Sequence, residues 1–140
     1  MPSLNPYLNF NGNTEDAFNF YKSVFGGEFA QLQRFKDVPS EQPMPDIDAQ
    51  KIMHVALPIG KDNVLMGSDT PKGYQSIVGT NFSISVNAAT EQETEKLFKG
   101  LSAGGKVTMP LEKTFWGAYF GMLTDKFGIN WMVSTEQRNN

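Results

Sequence analysis

The sequence has no cysteine and a single histidine in 140 residues. Without cysteine there can be no disulfide, no thiolate-ligated zinc, no iron–sulfur cluster and no thiol nucleophile. One histidine excludes a two-histidine metal site within a single chain. Basic residues are also few, 12 Lys and Arg against 15 Asp and Glu for a net charge of −3, and they form no run. The electrostatic footprint of a nucleic-acid binder is therefore missing. No stretch approaches the roughly 18 apolar residues of a membrane-spanning helix. Met1-Pro2-Ser3-Leu4-Asn5-Pro6 has no basic segment followed by an apolar core, so it does not read as a signal peptide, and the expected setting is the cytoplasm. No Gly-x-Gly occurs, so the phosphate-binding turn of a doubly wound nucleotide or S-adenosylmethionine fold is missing as well.

Aromatic residues, by contrast, are plentiful at 12%, with 11 Phe, which fits a filled core of one domain. Tyr7-Leu8-Asn9-Phe10 alternates as a half-buried strand, Leu8 and Phe10 on one face and Tyr7 and Asn9 on the other. Asn13 or Thr14 can cap a helix whose stripe is Ala17, Phe18, Tyr21, Val24 and Phe25, and Gly26-Gly27 ends it. A strand from about Glu28 to Phe35 precedes a long polar loop, Lys36 to Lys51. Ile52 to Ile59 and Asn63 to Ser68 read as two strands around a Gly60-Lys61-Asp62 turn. A second loop, Asp69 to Gly79, leads to an alternating strand, Phe82 to Val86. Thr90-Glu91-Gln92-Glu93 is a capping box for a helix striped by Leu97, Phe98 and Leu101 and ended by Gly104-Gly105. A strand near Lys106 to Met109 follows, then Ala118 to Thr124 and Asn130 to Ser134 around an Asp125–Gly128 turn.

The two halves repeat one another. Leu8 and Phe10 match Ile84 and Val86, and Thr14-Glu15 matches Thr90-Glu91, all 76 positions on (8 to 84, 14 to 90); Gly26-Gly27 matches Gly104-Gly105 at 78 (26 to 104). Each half reads strand, helix, strand, strand, strand. The expected architecture is α+β: two βαβββ modules, about 1–75 and 80–136, forming curved, mostly antiparallel sheets with a helix on the outer face of each.

That organisation, together with Pro6-Tyr7-Leu8-Asn9-Phe10, Phe25-Gly26-Gly27, Leu65-Met66-Gly67-Ser68-Asp69, Thr114-Phe115-Trp116-Gly117 and Asp125-Lys126-Phe127-Gly128-Ile129-Asn130-Trp131, resembles the vicinal oxygen chelate superfamily of glyoxalases, bleomycin-resistance proteins and dioxygenases. Within it the chain is similar to the PhnB-like proteins labelled 3-demethylubiquinone-9 3-methyltransferase domains. The resemblance implies a small-molecule pocket inside the curved sheets and a homodimer. In metal-dependent members, inward-facing side chains on the first and last strands of each module hold a divalent ion. Carried over by resemblance, those positions fall on Asn5 or its neighbourhood, Met66, Asn81 and Met132, none of them a good ligand for such an ion. The expectation is a protein without a metal or other cofactor, and with no methyl-donor motif to support the methyltransferase label.

His54 is the one side chain that titrates near neutrality unperturbed, hence the candidate catalytic acid or base. By parity it shares a face with Ile52 and Ala56, and it reads either as a half-buried strand histidine bonded to a neighbouring strand or as a pocket group. Asp69 and Ser68 close a strand and could meet a polar ligand group, or Asp69 could orient His54 or bond its own turn. Tyr7, Asn9, Met66, Trp116 and Tyr119 complete the expected binding set, aromatic walls with a few polar groups. Three functions fit: a small-molecule-binding protein of unassigned reaction, a non-catalytic antibiotic-sequestering protein, and a metal-dependent isomerase, lyase or dioxygenase.

Overall fold

Alternation becomes burial in β1 (Tyr7–Phe10), where Leu8 and Phe10 are buried and Tyr7 and Asn9 exposed. The computed structural model describes residues 2–37, 46–71 and 73–136, and the chain divides into two compact units, 1–77 and 78–140.

In the first unit β1 is followed by α1 (Thr14–Phe25), β2 (Gln31–Arg34), a 3-10 turn (Phe35–Asp37), a single helical turn α2 (Asp46–Ala49), β3 (Ile52–Ile59) and β4 (Asn63–Asp69). The sheet runs β1-β4-β3-β2, with β1 parallel to β4 and the other pairs antiparallel. α1 lays Ala17, Phe18 and Tyr21 on one face of it, against Leu8, Val55, Leu57 and Leu65, all buried. Gly67 permits that approach: a Cβ there would stand 2.7 Å from Phe18 Cε1 and 2.8 Å from the Leu8 carbonyl oxygen.

Several boundaries differ from the sequence reading. β2 is shorter than Glu28 to Phe35, because the Arg34 amide donates to Asp37 Oδ2 (2.9 Å) and draws the chain into the 3-10 turn. The loop expected over Lys36 to Lys51 contains that turn and α2, and residues 38–45 lie outside the described part. Neither Asn13 nor Thr14 caps α1 with its side chain; Asn13 occupies the cap position without a side-chain bond. The carboxylate of Asp69, distant in sequence, takes the role, accepting from the Gly12 and Thr14 amides (3.0 and 3.1 Å).

The second unit contains β5 (Ile84–Asn87), α3 (Glu91–Ser102), β6 (Lys106–Lys113), β7 (Ala118–Thr124) and β8 (Asn130–Glu136), with sheet order β5-β8-β7-β6. β5 is parallel to β8 and the other pairs are antiparallel. Here the cap is local: Thr90 Oγ1 accepts from the Glu93 amide at 3.1 Å. Leu97, Phe98 and Leu101 of α3 are buried, and Trp131 fills the core with its indole donating to Asp125 Oδ2 at 2.8 Å. β5 begins at Ile84 rather than Phe82, and β6 continues past Met109 through Pro110 to Lys113. An edge strand tolerates that proline, since its missing N–H need break no ladder bond. Each unit is thus a four-stranded mixed sheet with one long helix on one face. Among the described residues no helix is long and apolar enough to cross a membrane.

Candidate functional site

The face of the first sheet turned away from α1 is set by strand register. Tyr7 pairs with Met66, Met66 with Ala56, and Ala56 with Gln31, which makes one row across all the strands. The next row brings Asn9 beside Ser68 and His54 beside Gln33. Both rows have the opposite parity to Leu8, Gly67 and Val55, which face α1. Five of the expected site residues, Tyr7, Asn9, His54, Met66 and Ser68, therefore share one sheet face. Gln31 and Gln33 join them; the alternation of Gln31-Leu32-Gln33 was the sequence signal for two outward amides.

His54 is half-buried, and its ring centre lies 5.9 Å from that of Tyr7, at an interplanar angle of 46°. Its Nδ1 is buried without a hydrogen-bond partner, the one such side-chain atom among the described residues. The expected bond to a neighbouring strand is not formed. Ile52 does not share the histidine's face: a bulge between Gln33 and Arg34 pairs Ile52 with Arg34, whose guanidinium reaches Glu15 on α1. That hydrogen-bonded Arg34 holds the Glu15 carboxyl below its ordinary range, and Glu15 raises the Arg34 guanidinium in turn.

Asp69 lies on the other side of the sheet. Beyond its bonds to α1, its Oδ1 accepts from Thr14 Oγ1 (2.7 Å) and its Oδ2 from the Ile52 amide (2.8 Å). It is 2% exposed and does not orient His54; it ties the start of α1 and the start of β3 to the end of β4.

Trp116 and Tyr119 belong to the second unit. Trp116 stands 63% exposed in a turn closed by the Thr114 amide donating to the Ala118 carbonyl (2.7 Å), edge-on to the ring of an almost fully exposed Phe115. Tyr119 has the parity of Gly121 and Leu123 and donates its hydroxyl to Glu95 Oε1 of α3 (3.1 Å), so it faces the helix. Desolvation first, then Glu95, pushes its phenol up. The second unit's other sheet face pairs Met122 with Met132 and Met132 with Ser85.

The metal stations implied by the family fit poorly. Asn5 Oδ1 accepts from the Val64 amide (3.3 Å), Asn81 is exposed, and Met66 and Met132 offer thioethers to an ion that prefers imidazole and carboxylate. Among the described residues no group of three or more His, Asp or Glu stands close enough to hold an ion.

Comparison with known proteins bears on the family and the fold. The family described as 3-demethylubiquinone-9 3-methyltransferase matches residues 2–134. Protein YjdN of Escherichia coli K12 is 32% identical, over 96% of this chain and 95% of its own. The crystal structure of protein PA1353 from Pseudomonas aeruginosa is 43% identical with a TM-score of 0.87, covering 99% of this chain and 100% of that one. A PhnB protein from Bacillus cereus is 25% identical with a TM-score of 0.73, over 96% and 99%. A glyoxalase/bleomycin resistance protein/dioxygenase family enzyme from Burkholderia phytofirmans, 17% identical over 93% and 96%, shares the fold at a TM-score of 0.61. The chain belongs to the family described as 3-demethylubiquinone-9 3-methyltransferase.

Proposed function

We propose that this protein binds a small organic molecule on the face of its first sheet turned away from α1, with His54 as the group that hydrogen-bonds the ligand or moves its proton. One observation carries the reading. A buried polar atom without a partner costs about 1–3 kcal/mol, and Nδ1 of His54 is such an atom beside strand rows that hold no charged side chain. Folding alone gives no reason to keep an imidazole there, where a leucine or methionine would pack without that cost. Tyr7 and Met66 supply apolar contact beside it, and Asn9, Gln33 and Ser68 supply hydrogen bonds.

On this reading the two units are duplicated modules of one glyoxalase-like domain that works as a cytoplasmic homodimer. The chemistry is metal-free, because thioethers and neutral amides do not offset the desolvation of a dication. The methyltransferase label finds no support in a chain without a Gly-x-Gly turn. Native mass spectrometry of protein purified from its own cells, with elemental analysis, tests the reading. The expected result is a dimer without stoichiometric metal, carrying an organic adduct that His54→Ala loses. A bound metal ion would refute the metal-free chemistry, and an adduct unchanged in His54→Ala would refute the site.

A further inference from the structure

Resting on that site, we propose that its ligand is uncharged and presents a hydrogen-bond acceptor, a carbonyl or amide oxygen, to the Nε2–H of His54. A neutral imidazole carries one proton on one of two nitrogens, and its surroundings decide which. Nδ1 is enclosed and has nothing to donate to. A proton there would be a buried unsatisfied donor, which folded proteins avoid more strictly than a bare acceptor. Nε2 also has no partner among the described residues but is not enclosed, so a proton there meets solvent or a ligand. The nitrogen available to a ligand is therefore a donor, and what it meets must accept.

The charge of the ligand follows from the rest of the face. Around His54 the strands present amides, a hydroxyl, a phenol, a thioether and a methyl group, and no Asp, Glu, Lys or Arg occurs in the two rows. The two ionic groups on the four strands are committed elsewhere: Arg34 to Glu15 toward α1, and Asp69 to four donors on the helix side. Beside a neutral imidazole, a carboxylate or ammonium brought onto this face would lose water without gaining an opposite charge. A neutral amide or ketone loses less and finds matching partners in Gln33 and Asn9. The 44% exposed ring of Tyr7 offers a flat surface for the ligand's apolar part.

His54 is the only histidine, so its imidazole nitrogens give one assignable pair of signals in the 15N-labelled full-length protein. At a pH where the ring is neutral, the free protein is expected to show the proton on Nε2. Three probes of similar shape are then titrated: benzamide, benzoate and benzylammonium. Benzamide should shift the Nε2 signal saturably and bind at least about tenfold tighter than either ion, a difference of about 1.4 kcal/mol. His54→Phe, which keeps a ring and removes the donor, should weaken benzamide by about tenfold. A proton found on Nδ1, or an ion binding as tightly as benzamide, overturns the inference while leaving the site in place. Silence of His54 toward all three probes overturns the inference and the site together.

Discussion

Replacing Asp69 should damage the first unit more than any surface change, because one carboxylate serves four donors. They are the amides of Gly12, Thr14 and Ile52 and the hydroxyl of Thr14, at 2.7–3.1 Å, around a side chain that is 2% exposed. Asp69→Ala strips all four at once. The Thr14 and Ile52 bonds are buried, and each buried donor left without a partner costs about 1–3 kcal/mol. The donors share one acceptor, and relaxation lets some reach water, so the losses do not add fully. The expected destabilisation is about 3–5 kcal/mol, a large part of the 5–15 kcal/mol typical of a whole domain. Asp69→Asn keeps one carbonyl oxygen. If that oxygen takes the three-donor position of Oδ1, the amide nitrogen faces the Ile52 N–H, donor against donor, for about 1–2 kcal/mol. Urea unfolding followed by far-UV circular dichroism measures both variants, and amide exchange at Thr14 and Ile52 localises the effect. Asp69→Ala within about 0.5 kcal/mol of wild type would refute the cap-and-clamp role.

Gly67→Ala should cost about 2–3 kcal/mol in the same assay, since the new Cβ would collide with the Phe18 ring and with the Leu8 carbonyl, which as backbone cannot turn aside. Glu15→Gln should cost at most about 1 kcal/mol near neutrality, because Glu15 is substantially exposed. Glu15 has a lowered folded value, so its contribution is present above its ordinary 4.5 and fades as pH falls through the folded value; the variant and wild type should converge there in acid titrations of stability. Phe115→Ser should change stability by less than about 0.5 kcal/mol, as the ring is 97% exposed.

What the sequence showed and what it hid divide along the range of the interactions. The helix cap at Thr90 was legible because donor and acceptor are three residues apart. The cap of α1 was not, because its acceptor, Asp69, lies 55 residues from Thr14 and becomes a neighbour only when β4 pairs with β1. For the same reason Asp69 read as a turn or ligand residue rather than a clamp. Alternation placed Tyr7 and Asn9 on one face correctly, but Ile52 left the histidine's face through a bulge that no periodicity announces. The strand expected near Lys106 to Met109 runs on through Pro110 to Lys113, which β6 tolerates as an edge. Tyr119 was grouped with the pocket aromatics on residue type alone, and its register turns it toward Glu95. His54 and its neighbours Tyr7, Asn9, Met66 and Ser68 were legible as candidates. That Nδ1 would be buried without a partner was not, since it depends on what all the surrounding strands fail to supply.

The proposed site puts the ligand on the first unit's sheet, on the side away from α1. Backbone amide shift mapping of the 15N-labelled protein with benzamide tests it most directly. Saturable shifts are expected at Asn9, Gln33, His54 and Ser68, with Ala17, Phe18 and Tyr21 on α1 little changed. Shifts concentrated instead in the second unit, around Phe115, Trp116 and Gly117, would contradict it.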